Sequence, residues 1–125
     1  MLKKTIKYED FDGNERSEDF YFNLTKAELM EMELSTEGGL EKRIQSIINA
    51  QDIPKIVAIF KDLILRSYGE KSLDGKRFIK NDEIRDAFAQ TEAYSELFME
   101  LATDEKAASE FVKGIVPKNL PTSAS

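Results

Sequence analysis

Apolar and polar residues alternate in two stretches near the N-terminus. The apolar members are Leu2, Ile6 and Tyr8 in the first stretch, and Phe20, Phe22 and Leu24 in the second. Alternation is typical of strands with one buried face, because successive side chains point to opposite faces of a sheet. Between the stretches, Asp12-Gly13 can supply the positive φ that a tight reversal needs. The pattern therefore predicts an N-terminal β-hairpin.

After the second stretch the spacing of apolar residues becomes helical. Thr25 and Glu28 have the spacing of a capping box, in which each side chain accepts a backbone N–H from the other residue. We predict a helix from this point to about Leu34, interrupted by residues 35–39, which contain two glycines. A second helix is predicted to begin at Leu40.

The third predicted helix has the widest apolar surface. Asp52 can cap its start, and Pro54 is tolerated in its first turn, where a missing N–H costs nothing. One face carries Ile53, Ile56, Val57, Phe60, Leu63, Ile64 and Tyr68. Ile59 and Leu65 lie off that face, and Gly69 has the position of a C-terminal helix stop. We expect this helix to be the most buried element of the fold.

The remaining sequence predicts a connector followed by more helices. Residues 70–80 are polar, with a turn at Asp74-Gly75. A helix then begins at Asn81 or Asp82 and either continues past Thr91 or is capped there again.

A last helix precedes Gly114, Ile115 and Pro117, which together read as a C-terminal helix stop. We therefore predict an α+β fold, with an N-terminal β-hairpin followed by about five helices. Residues 1–117 are expected to form a single domain, and residues 118–125 a flexible tail.

Charge and composition exclude several classes of function. The formal net charge of -6 disfavours a nucleic-acid-binding protein, which needs a basic surface for phosphates. No stretch approaches the ~20 apolar residues of a membrane span, and the N-terminus lacks the apolar run of a signal peptide. These features predict a cytoplasmic protein that acts on neither nucleic acid nor membrane.

Catalytic and metal chemistry also find little support in the sequence. The chain has no histidine and no cysteine, which removes the commonest general base and the best ligands for transition metals. Asp10, Asp12 and Asn14 alternate around Gly13, but a calcium-binding EF-hand loop places its glycine at position six, and here it stands at position four. We predict no enzymatic activity, no cofactor and no metal.

Three stretches carry a resemblance to a known family. They are FAQTEAYSELFMELAT at residues 88–103, DFYFNLTKAEL at residues 19–29 and YGEKSLDGKRF at residues 68–78. These three sequences resemble those of the tail assembly chaperones, which are small proteins encoded in phage and prophage tail modules. The resemblance extends over most of the chain and includes no catalytic signature.

The resemblance implies a partner and a place of action. Members of the family are implied to bind the tape measure protein, a long apolar helical protein, and to keep it soluble while tail tube subunits polymerise around it. Tail tube protein is thus a second implied partner, and a longer product made by frameshifting is a further implication. The protein would act in the host cytoplasm and be absent from the mature virion.

The sequence suggests where an apolar client would bind. Met32, Ile59 and Leu65 lie off the main apolar faces of their helices, so we expect them to contact the client. Exposed apolar surface on a free monomer would face water, so self-association into a homo-oligomer is expected when no client is present.

Two functions of other classes remain open at this point. One is a structural phage component, such as a head–tail connector subunit that is retained in the particle. The other is a small acidic inhibitor of a host protein, which would require acidic residues concentrated on one face. Here lysines are interspersed among the acidic residues along the predicted helices.

Overall fold

The computed structural model describes residues 1–34 and 39–117. Within these residues an N-terminal hairpin is followed by six helices and a second, short strand pair, so the predicted α+β fold is confirmed. The elements are β1 (Leu2–Glu9), β2 (Glu15–Phe22), α1 (Lys26–Leu34), α2 (Leu40–Ala50), α3 (Ile53–Ser67), β3 (Tyr68–Lys71), β4 (Phe78–Ile79), α4 (Asp82–Ala89), α5 (Glu92–Thr103) and α6 (Glu105–Ile115). Residues 35–38, part of the predicted break, and the predicted tail at 118–125 lie outside the described residues.

The hairpin forms one side of a four-stranded antiparallel sheet with the order β1-β2-β3-β4. Its register pairs Leu2 with Phe22 and continues without a bulge to the pair of Glu9 and Glu15. Gly13 has a φ of 82° in the connecting turn, as the sequence predicted. The face that carries Ile6 and Phe22 is buried against α5 and α6, and the opposite face is largely exposed.

The polar connector predicted over residues 70–80 has its predicted turn at Asp74-Gly75, but the prediction missed two strands, β3 and β4, on either side of that turn. Strand β3 leaves α3 directly and pairs with the end of β2, where Tyr21 lies opposite Gly69. Strand β4 then pairs with β3 after a turn at Gly75, whose φ is 74°. The partner of β3 lies almost fifty residues earlier in the chain, so the local pattern of polar residues could not reveal this pairing.

Gly69 is not a helix stop, contrary to the sequence-based prediction. Its φ is not positive, and it lies inside strand β3. A Cβ atom at this position would lie 2.7 Å from Cε2 of Phe78 and 2.8 Å from the carbonyl oxygen of Ile79. The absence of a side chain therefore allows β4 to approach β3 closely.

Gly114 also differs from its predicted role. It lies within α6, which continues to Ile115, and a Cβ at residue 114 would meet Cδ1 of Leu2 at 2.9 Å. The glycine lets the start of β1 pack against the last turn of α6. The C-terminal stop predicted at Gly114 is therefore too early, because α6 includes Gly114 and Ile115 and is capped at Val116.

Side-chain caps mark the beginning of the described helices, except for α2, whose N-cap is Gly39. The predicted capping box is present, since the Thr25 N–H donates to Glu28 Oε1 at 2.8 Å and the Glu28 N–H donates to Thr25 Oγ1 at 3.1 Å. Asp52 caps α3, and Asn81 rather than Asp82 caps α4. Thr91 caps α5, so the helix after residue 81 is interrupted and recapped there.

The buried residues of α3 all lie from Phe60 onward, in its C-terminal half. Phe60 and Ile64 are fully buried, whereas Ile53 is 61% exposed and Val57 is 40% exposed. The sequence pattern placed all four on one buried face. Periodicity identifies the apolar side of a helix, but its neighbours decide how much of that side is covered.

Aromatic side chains link the sheet to the helices. Phe22 is fully buried and contacts Phe88 and Phe111 with ring centroids 5.9 and 5.4 Å apart. Tyr68, predicted to lie on the apolar face of α3, instead begins β3 and stacks on Phe88 at a centroid distance of 4.1 Å. The aromatic cluster therefore joins β2, β3, α4 and α6 into one core.

Candidate functional site

A groove of about 770 Å³ lies between α1 and α3 and ends at the beginning of α4. We call it the α1–α3 groove. Its apolar residues are Leu24, Met32, Ala58 and Leu65, and its charged residues are Glu28, Glu31, Lys61, Asp62, Arg66, Lys80 and Arg85. From residue 58 to residue 65, α3 lines the groove over about two helical turns, roughly 10 Å.

The apolar part of the groove combines fixed and half-exposed side chains. Leu24 is buried, and its backbone N–H donates to the carbonyl of Ile115 at 2.9 Å, which ties the entrance of α1 to the end of α6. Met32 and Leu65 are half-buried and pack against the core, and Ala58 is exposed. A flexible methionine beside a small alanine can adapt to an apolar side chain from a partner.

The ion pair between Lys80 and Glu28 holds the end of the groove together. Lys80 Nζ lies 2.8 Å from Glu28 Oε2 and also donates to the carbonyl of Asn23 at 2.7 Å. Partial burial raises the pKa of the Glu28 carboxyl, but hydrogen bonds from Lys80 and from the Thr25 N–H outweigh it, so its pKa lies below the ordinary value. The capping residue of α1 is therefore also the anion of this pair.

Some of the remaining charged side chains of the groove form ion pairs, and others do not. Arg85 contacts Asp82 at 3.2 Å and donates to the carbonyl of Leu65 at 3.3 Å. Arg66 pairs with Asp62 at 2.8 Å along α3. Within the described residues, Glu31 on the α1 wall and Lys61 on the α3 wall have no ion-pair partner. The groove therefore offers one uncommitted charge of each sign.

The structure brings together two of the three residues predicted to contact a client. Met32 and Leu65 line the α1–α3 groove. Ile59 is half-buried against the core, and because it precedes Leu65 by six residues it points about 120° away around α3. The sequence reasoning missed Ala58, although its spacing of seven residues from Leu65 was a usable signal.

The described ranges contain neither a metal-binding cluster nor a membrane-spanning helix. They hold no cluster of three or more acidic residues that could bind a metal ion. The acidic turn of the hairpin is internally satisfied, because Asp10 accepts from the N–H groups of Asp12 and Asn14 and from Arg16. None of the helices that the structure describes is long and apolar enough to cross a membrane.

Comparison with known protein families gives a match over residues 1–125, which is the whole chain. The matching family is described as phage tail assembly chaperone. Searches of curated proteins and of solved structures gave no match. The match covers all of the elements that build the groove, together with the three stretches that resemble the family, and the chain therefore belongs to the phage tail assembly chaperone family.

Proposed function

We propose that this protein works by binding rather than catalysis. It holds an apolar helical segment of the tape measure protein in the α1–α3 groove and keeps that protein soluble while tail tube subunits polymerise. The observation that carries this proposal is a two-turn groove lined by both apolar and charged side chains, in a chain that belongs to the tail assembly chaperone family.

The dimensions and chemistry of the groove suit an amphipathic helix. A helix laid in a groove is held by apolar side chains spaced three, four and seven residues apart, which is the spacing that two turns can accept. Met32 and Leu65 would contact these side chains, with Ala58 leaving room between them. Glu31 would pair with a positive charge that flanks the apolar stripe of the client. Ile59 lies on another side of α3 and stays a separate prediction.

The proposal includes where the protein acts. A chaperone that releases its client during tube assembly works in the host cytoplasm and is not part of the finished particle. A head–tail connector subunit would instead be retained in fixed stoichiometry. Mass spectrometry of purified virions separates the two functions. We expect this chain to be absent from virions, and stoichiometric presence would favour the connector.

Substitution of Ala58 tests the groove. Ala58→Glu adds a carboxylate to the groove at an exposed helical position, so we expect the fold to be retained and the soluble fraction of co-expressed tape measure protein to fall several-fold. Ser95→Glu is the matched control, because it adds the same charge at an exposed position of α5 that does not line the groove.

Three outcomes bear on the proposal. Loss of client solubility with Ala58→Glu but not with Ser95→Glu supports it. Equal solubility with both variants would exclude the α1–α3 groove as the client site. Failure of the unsubstituted protein to keep the client soluble would overturn the chaperone activity itself.

A further inference from the structure

The apolar stripe of α3 continues beyond the part of the molecule that covers it. Phe60 and Ile64 are fully buried, but Ile53 and Val57, which continue the same stripe toward the N-terminus of the helix, are 61% and 40% exposed. Leaving two aliphatic side chains in water has no benefit for the stability of a single chain. We call these two residues, with the hollow beside them, the Ile53 patch.

The hollow has a volume of about 360 Å³ and lies between α3 and the junction of α5 and α6. Its buried apolar lining consists of Ile48, Phe60, Leu101 and Ala108, polar residues including Thr103 and Glu105 complete it, and Ile53 is also among its lining residues. One surface therefore carries both an exposed aliphatic side chain and a partly apolar space of a size to receive one. The α1–α3 groove lies on a different side of α3, lined by Ala58 and Leu65.

The form of this patch favours a second copy of the chain over a client helix. Ile53 and Val57 span one helical turn, about 6 Å, which is too short to guide an extended helix. A two-fold axis beside Ile53, in contrast, would place the side chain of each copy in the hollow of the other. Self-complementarity of this kind is the requirement for a symmetric dimer.

Charges on the two flanks of the patch agree with this arrangement. Lys61, which also lies at the edge of the α1–α3 groove, follows Val57 by one turn of α3. Glu105 lies on the rim of the hollow at the start of α6. In the part of the chain that the structure describes, neither has an ion-pair partner. The two-fold axis that exchanges Ile53 would also bring Lys61 of one copy toward Glu105 of the other, and form that pair twice.

We propose that the Ile53 patch is a homodimer interface, in which Ile53 of each copy occupies the hollow between α3 and the α5–α6 junction of its partner. If the proposed client function holds, such a dimer would present two α1–α3 grooves to one extended client, and the second contact would be intramolecular. The dimer itself does not depend on that function.

The molar mass in solution, measured by light scattering across a concentration series, tests the dimer. We expect the unsubstituted protein to approach twice the 14.3 kDa of one chain as its concentration rises. Ile53→Glu with Val57→Glu should raise the dissociation constant at least about tenfold, because carboxylates would enter an apolar contact. Circular dichroism should stay unchanged, since both positions are exposed. Leu73→Glu is the matched control, because Leu73 is fully exposed and lies outside the patch. The Leu73→Glu variant should dimerise normally.

A charge exchange gives a second, independent readout. Lys61→Glu should weaken the dimer, and the combination of Lys61→Glu with Glu105→Lys should restore it. A protein that stays monomeric at the highest concentration, or a folded Ile53→Glu, Val57→Glu variant that still dimerises normally, would overturn the proposal. Ala58→Glu separates it from the client function, because that variant should dimerise normally even if client binding is lost.

Discussion

At two glycines in this chain another segment approaches the backbone closely. At Gly69 a Cβ would lie 2.7 Å from the Phe78 ring and 2.8 Å from a backbone carbonyl, which cannot move without separating β3 from β4. Gly69→Ala should therefore lower the free energy of unfolding by roughly 1–3 kcal/mol, the usual range for overpacking. Urea denaturation measures this change, and a loss under about 0.5 kcal/mol would contradict the role assigned to Gly69.

Gly114→Ala is the control for Gly69→Ala, because both substitutions add a Cβ atom at a closely approached glycine. The atom closest to a Cβ at residue 114 is the end of the Leu2 side chain, which can rotate away. Alanine is also favoured over glycine within a helix by about 0.5–1 kcal/mol. We therefore expect Gly114→Ala to be much less destabilising than Gly69→Ala.

The ion pair of Glu28 predicts a pH dependence with a defined sign. The pKa of Glu28 in the folded protein is lowered from its ordinary 4.5. Its ionised form is therefore the stabilising one, so its contribution is complete above pH 4.5 and is lost as the pH falls through the folded-state pKa. In urea titrations, Glu28→Gln should be less stable than the unsubstituted protein at pH 7, and this difference should shrink at pH 3. A difference that grows toward low pH would contradict the assignment.

At the scale of elements, we expect substitutions at two positions on the apolar stripe of α3 to differ in their effect on the free energy of unfolding. Phe60 is fully buried and Val57 is 40% exposed. Phe60→Ala should reduce the free energy of unfolding by about 3–5 kcal/mol through the cavity that it leaves. Val57→Ala should change it by less than about 1 kcal/mol, because little buried surface is lost and alanine favours the helix. Similar losses for both variants would show that the N-terminal half of α3 is covered in the free chain.

The elements also show which kinds of feature can be read from sequence. The capping box of Thr25 and Glu28 and the caps at Asp52 and Thr91 depend only on residues within one turn, and local spacing predicted them. Strands β3 and β4 depend on a distant partner, so a polar composition concealed them. The same limit explains why the role of Gly69 was mispredicted. Its position in the sequence suits a helix stop, but its role depends on contact with Phe78, which is distant from the helix pattern.

The candidate site could be predicted only in part for a related reason. The sequence singled out Met32 and Leu65 because they lie off the main apolar faces, and both line the groove between α1 and α3. Ile59 has the same sequence signal but lies on another side of α3. The pairing of Lys80 with Glu28 joins residues 52 positions apart, which no local pattern contains.

For the whole molecule, the net charge of -6 opposes non-specific aggregation. We propose the α1–α3 groove as the client surface and the Ile53 patch as the contact with a second copy. This division predicts that Ala58→Glu reduces client solubility and leaves dimerisation intact. Solubility of the client and mass of the free protein are accordingly separate readouts.

The most direct test of the central claim is site-specific photo-crosslinking in cells that produce the tape measure protein. A photoreactive amino acid placed at Ala58 would lie in the α1–α3 groove, and one placed at Ser95 would lie on an exposed part of α5 outside it. The account predicts a covalent adduct with the tape measure protein from position 58 and none from position 95. An adduct from position 95 alone, or none from either position while the client stays soluble, would contradict the assignment of this groove.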